Sequence, residues 1–478
     1  MLGGVFLVAV VIRLPALTSG ELPNVSHPDE PITANVAHDM ARRSSLLTDW
    51  YTYPSALFIM GAAVLKVSGA DESERMVDSK TMGVSRTDHQ RAMVALRLIS
   101  FLAGIAAAAA AGFAIRSLTS SETAGAVGAL AVWLSPMYVR HSVLYTPDML
   151  ASSATMAALT CAVLWYRRRT WQLLISSGLL AGLAVGSKYN TAVVVIGVLV
   201  AVALVPEPWR TRARLAVSVC LAAAVAFLAT TPGVIFRWED FSSGLEGIRS
   251  HYESGHFGAE GAVLAFNSSQ LVWGLGLFAL GSAAVFVTGF PVRRSAPLLT
   301  FALLYFVLVS LASVRFERNL LPLVAPMVSL AVVGATVLLA RSSWSHRRTM
   351  TAGVLLTAAT LSLVPGWIRW SDGLYGDDRA DARRYLEETL PPDETVIAES
   401  YSPLLDLPNV RYHPFLLSLG HPASADLIVI NSKGSGRSDT PAAPEADTDA
   451  LNQLRAEFCL VDRFGDDSYW VEVRRRCE

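Results

Sequence analysis

Charged side chains are scarce in this chain. Lys and Arg together number 39 and Asp and Glu 40 among 478 residues, which is 17%, against 52% hydrophobic residues and a mean hydropathy of +0.41. A soluble chain of this length needs far more charge to cover its surface. The formal net charge is −1 and no Lys/Arg-rich run suits a phosphate backbone, so nucleic acid is excluded as a partner. The composition indicates a polytopic membrane protein surrounded by membrane lipids.

Cysteines and nucleotide-binding glycine motifs are also sparse. Two of the four cysteines, Cys161 and Cys220, fall in apolar segments and are expected to be inert. The other two, Cys459 and Cys477, leave two alternatives open, a disulfide between them or two free thiols. No G-x-G-x-x-G run follows a strand pattern, which excludes a nucleotide-binding domain of the Rossmann type.

Eleven apolar runs have the length and composition of membrane-crossing helices. They lie at residues 2–18, 91–115, 123–139, 144–165, 172–186, 190–205, 213–231, 268–290, 296–313, 319–340 and 350–368. The basic clusters at 167–169, 210–214, 293–294 and 346–348 all fall in loops of one side, which the positive-inside rule makes cytoplasmic. The first run lacks a basic N-terminal flank and a good cleavage site, so we expect a helix rather than a signal peptide.

The chain divides into two predicted parts. Residues 1–370 form the membrane unit, whose first outer loop spans 19–90, and residues 371–478 form a small domain on the outer face. In this second part, DDRADARRYLEETL predicts an amphipathic helix, and TVIAES, ADLIVINS and SYWVEVRR predict strands. The Gly/Ser/Pro-rich stretch SKGSGRSDTPAAPEADTD predicts a flexible loop. The fold class is therefore an α-helical polytopic membrane protein with a C-terminal extracytoplasmic α/β domain.

Two adjacent acids follow the first apolar run. Asp29 and Glu30 stand in the stretch NVSHPDEPITANV, with His27 just before them. One interpretation is a solvated turn, since Pro-Asp pairs are ordinary turn chemistry. The other is a reaction centre. A carboxylate can take the proton of an attacking hydroxyl, while its neighbour orients the acceptor or helps to hold a divalent cation.

A second polar cluster lies in YVRHSVLYTPDML. Asp148 stands in the first turn of a predicted helix, where a negative charge is stabilised by the helix dipole. One interpretation is therefore that Asp148 only stabilises the helix N-terminus. On the predicted topology Asp148 also lies on the same membrane face as Asp29. Arg140, His141 and Tyr145 are its neighbours in sequence. Together these residues form a candidate catalytic and binding cluster.

Basic residues at two outer helix ends are candidate phosphate ligands. Lys188 interrupts two apolar runs, and a lysine there either snorkels to the interface or meets an anion such as a lipid phosphate. Arg315 and Arg318 lie in an outer turn against the positive-inside trend, which indicates a local partner. Glu317 between them is one such partner, and a phosphate is the other.

These features occur in the order that is typical of the GT-C superfamily of membrane glycosyltransferases. The chain resembles protein O-mannosyltransferases (family 39-like) and bacterial aminoarabinose transferases (family 83-like). The likeness rests on the acid after the first helix, TPD at 146–148, the GLA…K pattern ending at Lys188 and the R…LP…P pattern in 315–326. The stretch YTYPSALFIMGA also resembles a motif of their first outer loop. The match runs over most of residues 5–345.

The resemblance implies a site on the outer face. Asp29 is expected to be the catalytic carboxylate, with Glu30 and Asp148 as further catalytic acids. Asp29 and Asp148 are also expected as ligands of an optional divalent cation, Mg²⁺ or Mn²⁺. The expected substrate-binding residues are His27, Tyr53, Arg140, His141, Tyr145, Lys188, Tyr189, His256, Arg315 and Arg318.

The resemblance also implies an activity. A hexose or pentose would pass from a polyprenyl-phosphate-linked donor to an acceptor hydroxyl, with inversion and with Asp29 as general base. The acceptor would be a lipid, a glycan or a protein, since the outer domain differs from the luminal module of the mannosyltransferases. Such a protein would span the inner (plasma) membrane, with its site and C-terminal domain extracytoplasmic. The alternatives are a transporter or lipid flippase, which favours mid-membrane charges and repeated halves, and a non-catalytic membrane scaffold.

Overall fold

The computed structural model describes most of the chain. It leaves out residues 1, 19–26, 28, 71–75, 78–83, 85–86, 255–261, 283–291, 342–357, 372–377, 406, 414–415, 420–421, 423, 433, 437–444, 466–469 and 478. Among the described residues, five helices are long and apolar enough to cross a membrane, and six further apolar helices are shorter. The protein is thus a helical multi-pass membrane protein with a small C-terminal sheet, as its composition predicts. The number of eleven crossings stays a prediction.

The helices of the membrane part pack around one large apolar core. In chain order they are α1 (Leu2–Val11), α2 (Glu30–Arg42), α3 (Ala56–Ser68), α4 (Thr87–Thr119), α5 (Glu122–Leu134), α6 (Pro136–His141), α7 (Pro147–Arg168), α8 (Trp171–Ser187), α9 (Val193–Ala203), α10 (Trp209–Thr230), α11 (Gly233–Phe236), α12 (Trp238–Ser254), α13 (Val263–Leu275), α14 (Leu277–Gly281), α15 (Val292–Ser310), α16 (Leu321–Arg341) and α17 (Val364–Ser371). Helix α4 packs against α5 and α7, and α8 packs against α7 and α10. A second core lies where α2 and α3 meet the start of α4.

Several predicted crossing segments are interrupted. The run predicted at 123–139 ends as a helix at Leu134, and Pro136, which has no N–H to donate, begins α6. The apolar stretch around Lys188 is divided into α8 and α9 by the 3-10 turn Tyr189–Ala192, as the broken-helix interpretation predicts. The predicted first outer loop contains α2 and α3, so it is largely helical where it is described.

Helices α8 and α10 approach each other at their backbones. Gly178, Gly182 and Gly186 lie about one turn apart on a single face of α8. A Cβ added at Gly178 would lie 2.7 Å from the backbone oxygen of Val219, and one at Gly182 would overlap the backbone oxygen of Ala223. Small residues permit such crossings in membranes, where close van der Waals contact drives helix association. This glycine stripe fixes the position of α8 and of the helix break that follows it.

The C-terminal domain is a five-stranded mixed sheet with a helix on each face. Its strands are β1 (Val396–Glu399), β2 (Val410–His413), β3 (Leu427–Asn431), β4 (Phe458–Gly465) and β5 (Trp470–Arg476), in the order β2-β1-β3-β5-β4. β1 is parallel to β2 and β3, whereas β5 is antiparallel to β3 and β4. Alternate residues of β3 face α18 (Asp378–Thr389) and α19 (Glu445–Glu457), because side chains alternate along a strand. The predicted α/β domain is confirmed.

The domain differs from the sequence prediction in three details. The predicted helix and the three predicted strands are present, but β2 and β4 were not predicted. The last part of the predicted flexible loop is wrong, since residues from Glu445 onward form α19. Cys459 and Cys477 form a disulfide with their Cα atoms 5.1 Å apart, which settles that open choice. The domain boundary at 370 stays a prediction.

Candidate active site

Asp29 presents its carboxylate to two donors from distant parts of the chain. It occupies the N-cap position of α2, but its side chain makes no capping hydrogen bond. The Tyr53 hydroxyl donates to Asp29 Oδ2 over 2.9 Å, and the Arg318 guanidinium lies 3.1 Å from the same oxygen. The backbone N–H of Asp29 donates to His27 Nδ1 over 3.1 Å. The carboxylate is therefore oriented by its surroundings while its side chain keeps 17% of its exposure.

The Tyr53 hydroxyl keeps its proton for this contact. Burial raises the pKa of Tyr53 well above its usual value, and this effect outweighs the opposing pull of Arg318. A neutral phenol can donate to Asp29, whereas a phenolate could not.

Glu30 faces a different environment from Asp29, although the two are adjacent. It is fully buried and accepts two hydrogen bonds of 2.8 Å from Arg97, one to each carboxylate oxygen. The backbone N–H of Tyr145 donates to Glu30 Oε1 over 2.9 Å. Arg97 also donates to the backbone oxygen of Leu17 over 2.9 Å. These contacts tie α2 to α4 and to the segment before α7, so they favour a structural role over the expected catalytic one.

Asp148 and Lys188 form a buried ion pair. Asp148 lies in the first turn of α7, and Lys188 lies at the break between α8 and α9. Lys188 Nζ is 2.5 Å from Asp148 Oδ1 and donates to Asn319 Oδ1 over 2.8 Å. An ammonium has three donors, so one N–H remains beyond these two contacts. The pairing gives both residues a local partner, and snorkelling is not required to explain the lysine.

The turn before α16 brings these groups together. Asn319 accepts from Tyr252 of α12 as well as from Lys188, with the Tyr252 oxygen 3.0 Å from Asn319 Oδ1. Arg318 interacts electrostatically with both Asp29 and Asp148 and stacks on the Phe316 ring at 4.6 Å. The two acid centres are thus linked by adjacent residues of one 3-10 turn, Glu317–Leu320.

His141, the last residue of α6, is buried near these groups. It is 1% exposed, and within the described part of the chain neither ring nitrogen has a hydrogen-bond partner. Burial lowers the pKa of His141 to about 4, against the opposing pull of Glu317, so the ring is neutral at physiological pH. Its ring centre is 6.4 Å from that of His27. Arg140 and Glu317 attract each other in the same region.

A cavity of about 560 Å³ opens beside the acids. Its polar lining includes Tyr53 and Lys188, which touch Asp29 and Asp148 respectively. The rest of its lining is Thr52, Tyr189, Asn190, Leu245, Ile248, Arg249, Tyr252, Glu253, Leu308, Val309, Leu311, Ala312 and Ser313. The cavity therefore combines charged side chains, such as Lys188 and Arg249, with a largely apolar lining.

The remaining predicted binding residues divide into several groups. Tyr189 lines the cavity, and its hydroxyl donates to the backbone oxygen of Tyr51 over 3.0 Å. Tyr145 does not reach the cavity, because it is fully buried and its hydroxyl donates to the backbone oxygen of Leu57. Arg315 stands 5.9 Å from the Phe266 ring centre. His256 lies outside the described residues.

The expected cation ligands hold basic side chains instead. Asp29 pairs with Arg318 and Asp148 pairs with Lys188. Within the described residues there is no group of three or more His, Cys, Asp or Glu side chains that could hold a metal ion. This donor set does not fit a divalent cation.

Sequence reasoning missed three residues of the site. Arg97 lies within a long apolar run, where its charge was a signal that a buried acid was required. Asn319 follows Arg318 directly at the start of an apolar helix. Tyr252 lies between the apolar runs 213–231 and 268–290, in a segment that the predicted topology puts on the outer side. Nothing local to Asn319 or Tyr252 indicates that they meet each other and Lys188.

Comparisons with known proteins bear on the fold. The sequence profile of the dolichyl-phosphate-mannose-protein mannosyltransferase family matches residues 89–236. The structure of ArnT from Cupriavidus metallidurans bound to undecaprenyl phosphate is similar, with a TM-score of 0.58 and 14% identity, covering 98% of each chain. The archaeal oligosaccharyltransferase AglB from Archaeoglobus fulgidus, in complex with an inhibitory peptide and a dolichol-phosphate, gives a TM-score of 0.52 and 13% identity, covering 83% of this chain and 62% of AglB. No curated protein sequence matches the chain.

These likenesses establish the architecture. The chain has the fold of the GT-C superfamily of membrane glycosyltransferases, and the resemblance stated from its motifs is confirmed at that level. At identities of 13–14%, the fold is what the solved structures share with this chain.

Proposed function

We propose that this protein transfers a sugar from a polyprenyl-phosphate donor to an acceptor hydroxyl, with Asp29 as general base. The observation that carries the proposal is the Asp29 carboxylate, which is partly exposed and oriented by Tyr53 and Arg318. Tyr53 also lines the neighbouring cavity, so a substrate bound there lies beside the base. A general base must stand within hydrogen-bond reach of the proton that it takes.

The cavity suits a lipid-linked donor. Its apolar side chains, which include Leu245, Ile248 and Leu308, match a prenyl chain, and the third N–H of Lys188 in the same lining is a donor for a phosphate. The binding of undecaprenyl phosphate by ArnT and of dolichol-phosphate by AglB supports this assignment. The sugar is a hexose or pentose, and the acceptor is a lipid, glycan or protein.

The proposed chemistry is a single displacement. The acceptor oxygen forms a bond to the anomeric carbon while the bond from that carbon to the phosphate oxygen breaks on the opposite face, so the configuration inverts. The acceptor proton passes to Asp29, and the bonding electrons leave with the polyprenyl phosphate. Lys188 offsets the charge that develops on this leaving group, as preorganised donors do at other reaction centres. Arg318 and Tyr53 hold the carboxylate in position until the proton arrives.

The site is proposed to face the outside of an inner (plasma) membrane. Arginine-rich segments at helix ends, such as residues 210–214 at the start of α10, would then be cytoplasmic. The disulfide between Cys459 and Cys477 supports the same orientation, because disulfides persist in oxidising compartments. Both observations support the proposal that the C-terminal domain lies on the outer face.

The test is transfer by the purified protein in nanodiscs, supplied with a panel of radiolabelled polyprenyl-phosphate sugars. Asp29→Asn should lower turnover by at least about 100-fold, the usual contribution of a general base. Asp39→Asn is a matched control, since Asp39 is a partly exposed acid of the same helix that pairs with Arg43. It should retain full activity.

Two outcomes would contradict the proposal. Turnover by Asp29→Asn at the rate of the native protein would place the base elsewhere. Movement of the labelled donor across the bilayer without formation of a glycosidic bond would favour a lipid flippase instead. NMR of the product should show the anomeric configuration opposite to that of the donor.

A further inference from the structure

Helix α12 forms one wall of the cavity but is itself weakly packed. Leu245, Ile248, Arg249, Tyr252 and Glu253 all line the cavity. Most of the other side chains of this helix are exposed or half-buried. A helix with so little buried surface is held in place by a few contacts at its ends, and these contacts decide where the cavity wall stands.

The first end of α12 rests on residues 49–53, here called the strap. Arg237, which precedes α12, lies 2.5 Å from Asp49 of the strap. The rings of Phe241 and Tyr51 meet edge to face at 6.0 Å. At Gly244 the contact is with backbone, since an added Cβ would lie 2.6 Å from the carbonyl carbon of Tyr51. The strap ends at Tyr53, which donates to Asp29.

The last turns of α12 rest on residues 313–319, the segment that carries Arg318. The backbone N–H of Ser313 donates to the backbone oxygen of Tyr252 over 2.8 Å. The Tyr252 hydroxyl donates to Asn319 over 3.0 Å. The His251 ring stacks on Phe316 at 6.0 Å with an interplanar angle of 15°. Arg318 within this segment is the ion-pair partner of Asp29.

We infer that α12 is a positioning element that couples occupation of the cavity to the orientation of Asp29. The two side chains that hold the Asp29 carboxylate, Tyr53 and Arg318, stand on two segments that are far apart in sequence, and α12 contacts both. A ligand that shifts α12 therefore moves the strap and the 313–319 segment together. The carboxylate is held ready when α12 is seated, and loses a donor and a cation when α12 is displaced. This inference rests on the proposed role of Asp29 as base.

Gly244→Ala is the variant that tests the inference, because its methyl group must push α12 away from the Tyr51 backbone. Gly244 does not line the cavity, so donor binding is not touched directly. We expect kcat of the folded protein to fall by about tenfold, as small displacements of a reacting group do. Donor KM should change as well, because Leu245 and Ile248 of the displaced helix line the cavity.

Two glycines provide matched controls. Gly247 lies on the same helix, and a Cβ there meets nothing within 4 Å, so Gly247→Ala tests helix propensity alone. Gly178→Ala creates a comparable overlap in the α8–α10 contact, away from the strap. Gly247→Ala should leave activity and melting temperature nearly unchanged. Gly178→Ala should lower the melting temperature but leave the kcat of the folded protein nearly unchanged.

A double-mutant cycle with Tyr53→Phe identifies the route of the coupling. If α12 acts through the Tyr53 hydroxyl, the double variant Gly244→Ala/Tyr53→Phe should lose less activity than the product of the two single losses. If Gly244→Ala prevents folding, Phe241→Leu is the second variant. It weakens the neighbouring ring contact between α12 and Tyr51 without adding an overlap, and it should show the same kinetic pattern. Fully multiplicative losses would overturn the coupling through Tyr53.

The inference and the proposed function fail in different ways. If Asp29→Asn turns over at the native rate, Asp29 is not the base, and the proposed role of α12 in orienting it fails as well. An inactive Asp29→Asn variant, together with a Gly244→Ala variant that loses only thermal stability and keeps the kcat of the native protein, would leave the base in place and overturn the positioning role of α12.

Discussion

Glu30→Gln should destabilise the protein far more than Asp29→Asn does, although the two acids are neighbours. Glu30 and Arg97 are both fully buried, and each loses its charged partner if the other is neutralised. The substitution leaves the Arg97 guanidinium in the apolar core against an amide, whose NH₂ group replaces one of the two carboxylate acceptors. Breaking a buried pair from one side leaves an uncompensated charge.

The magnitude follows from these contacts. One-sided loss of a buried ion pair costs about 3–5 kcal/mol. In Glu30→Gln the amide oxygen can still accept from the Tyr145 N–H, as the Glu30 carboxylate does over 2.9 Å, so we expect the lower end, about 3 kcal/mol. The double variant Glu30→Gln/Arg97→Gln should recover part of this loss, because it removes the stranded charge.

The assay is unfolding in mixed micelles by titration with SDS, followed by circular dichroism, with turnover measured on the folded protein. Glu30→Gln should unfold at lower SDS than the native protein, whereas Asp29→Asn should unfold at nearly the same point and be inactive. If Glu30→Gln unfolds with the native protein but loses turnover as fully as Asp29→Asn, the buried pair is not structural and Glu30 is a catalytic acid.

Two further predictions concern His141 and the topology. Because burial holds the pKa of His141 at about 4 instead of 6.5, the unfolded chain binds an extra proton between these values. The free energy of unfolding should therefore fall by about 3 kcal/mol as the pH drops through this window, and His141→Asn should remove that part of the fall. In a Cys220→Ser background, Ser254→Cys should react with an impermeant thiol reagent in intact cells and Glu207→Cys should not. The opposite labelling pattern would invert the topology.

Sequence patterns were sufficient for the general architecture. The role of Asp29 as base stays a prediction. Hydropathy and arginine-rich loops indicate a multi-pass protein, and the order of the acid, TPD and Lys188 motifs indicates the GT-C fold, which the structure confirms. The helix break at Lys188 was also visible, since a single lysine divided two apolar runs. These signals are local in the chain, and a periodicity or a motif can show them.

The partners of the charged residues were not predictable in the same way. Glu30 meets Arg97 across 67 positions, and Lys188 meets Asp148 across 40. Neither pair has a spacing that a helix or a turn would impose, so only the packing of α2, α4, α7 and α8 brings them together. Asp29 and Glu30 were therefore both expected among the catalytic acids, and the packing gives them different surroundings.

The two edge strands, β2 and β4, were not predicted for a related reason. β2 has only four residues, Val410–His413, and β4 carries exposed and charged positions as an edge strand with an irregular register near Leu460. Edge strands need no continuous apolar pattern, and they are often irregular and charged. Their pairing with β1 and β5 is a property of the whole sheet.

The glycine stripe between α8 and α10 has a consequence for how the sequence can change during evolution. Only 17% of the most apolar window of α10 is buried, so most of its surface does not pack against other described parts of the protein. The few positions opposite Gly178 and Gly182 touch backbone and leave no space for a methyl group. Among relatives of this protein, the outward face of α10 should therefore drift freely among apolar residues, while the three glycines of α8 should persist even in members that recognise a different sugar.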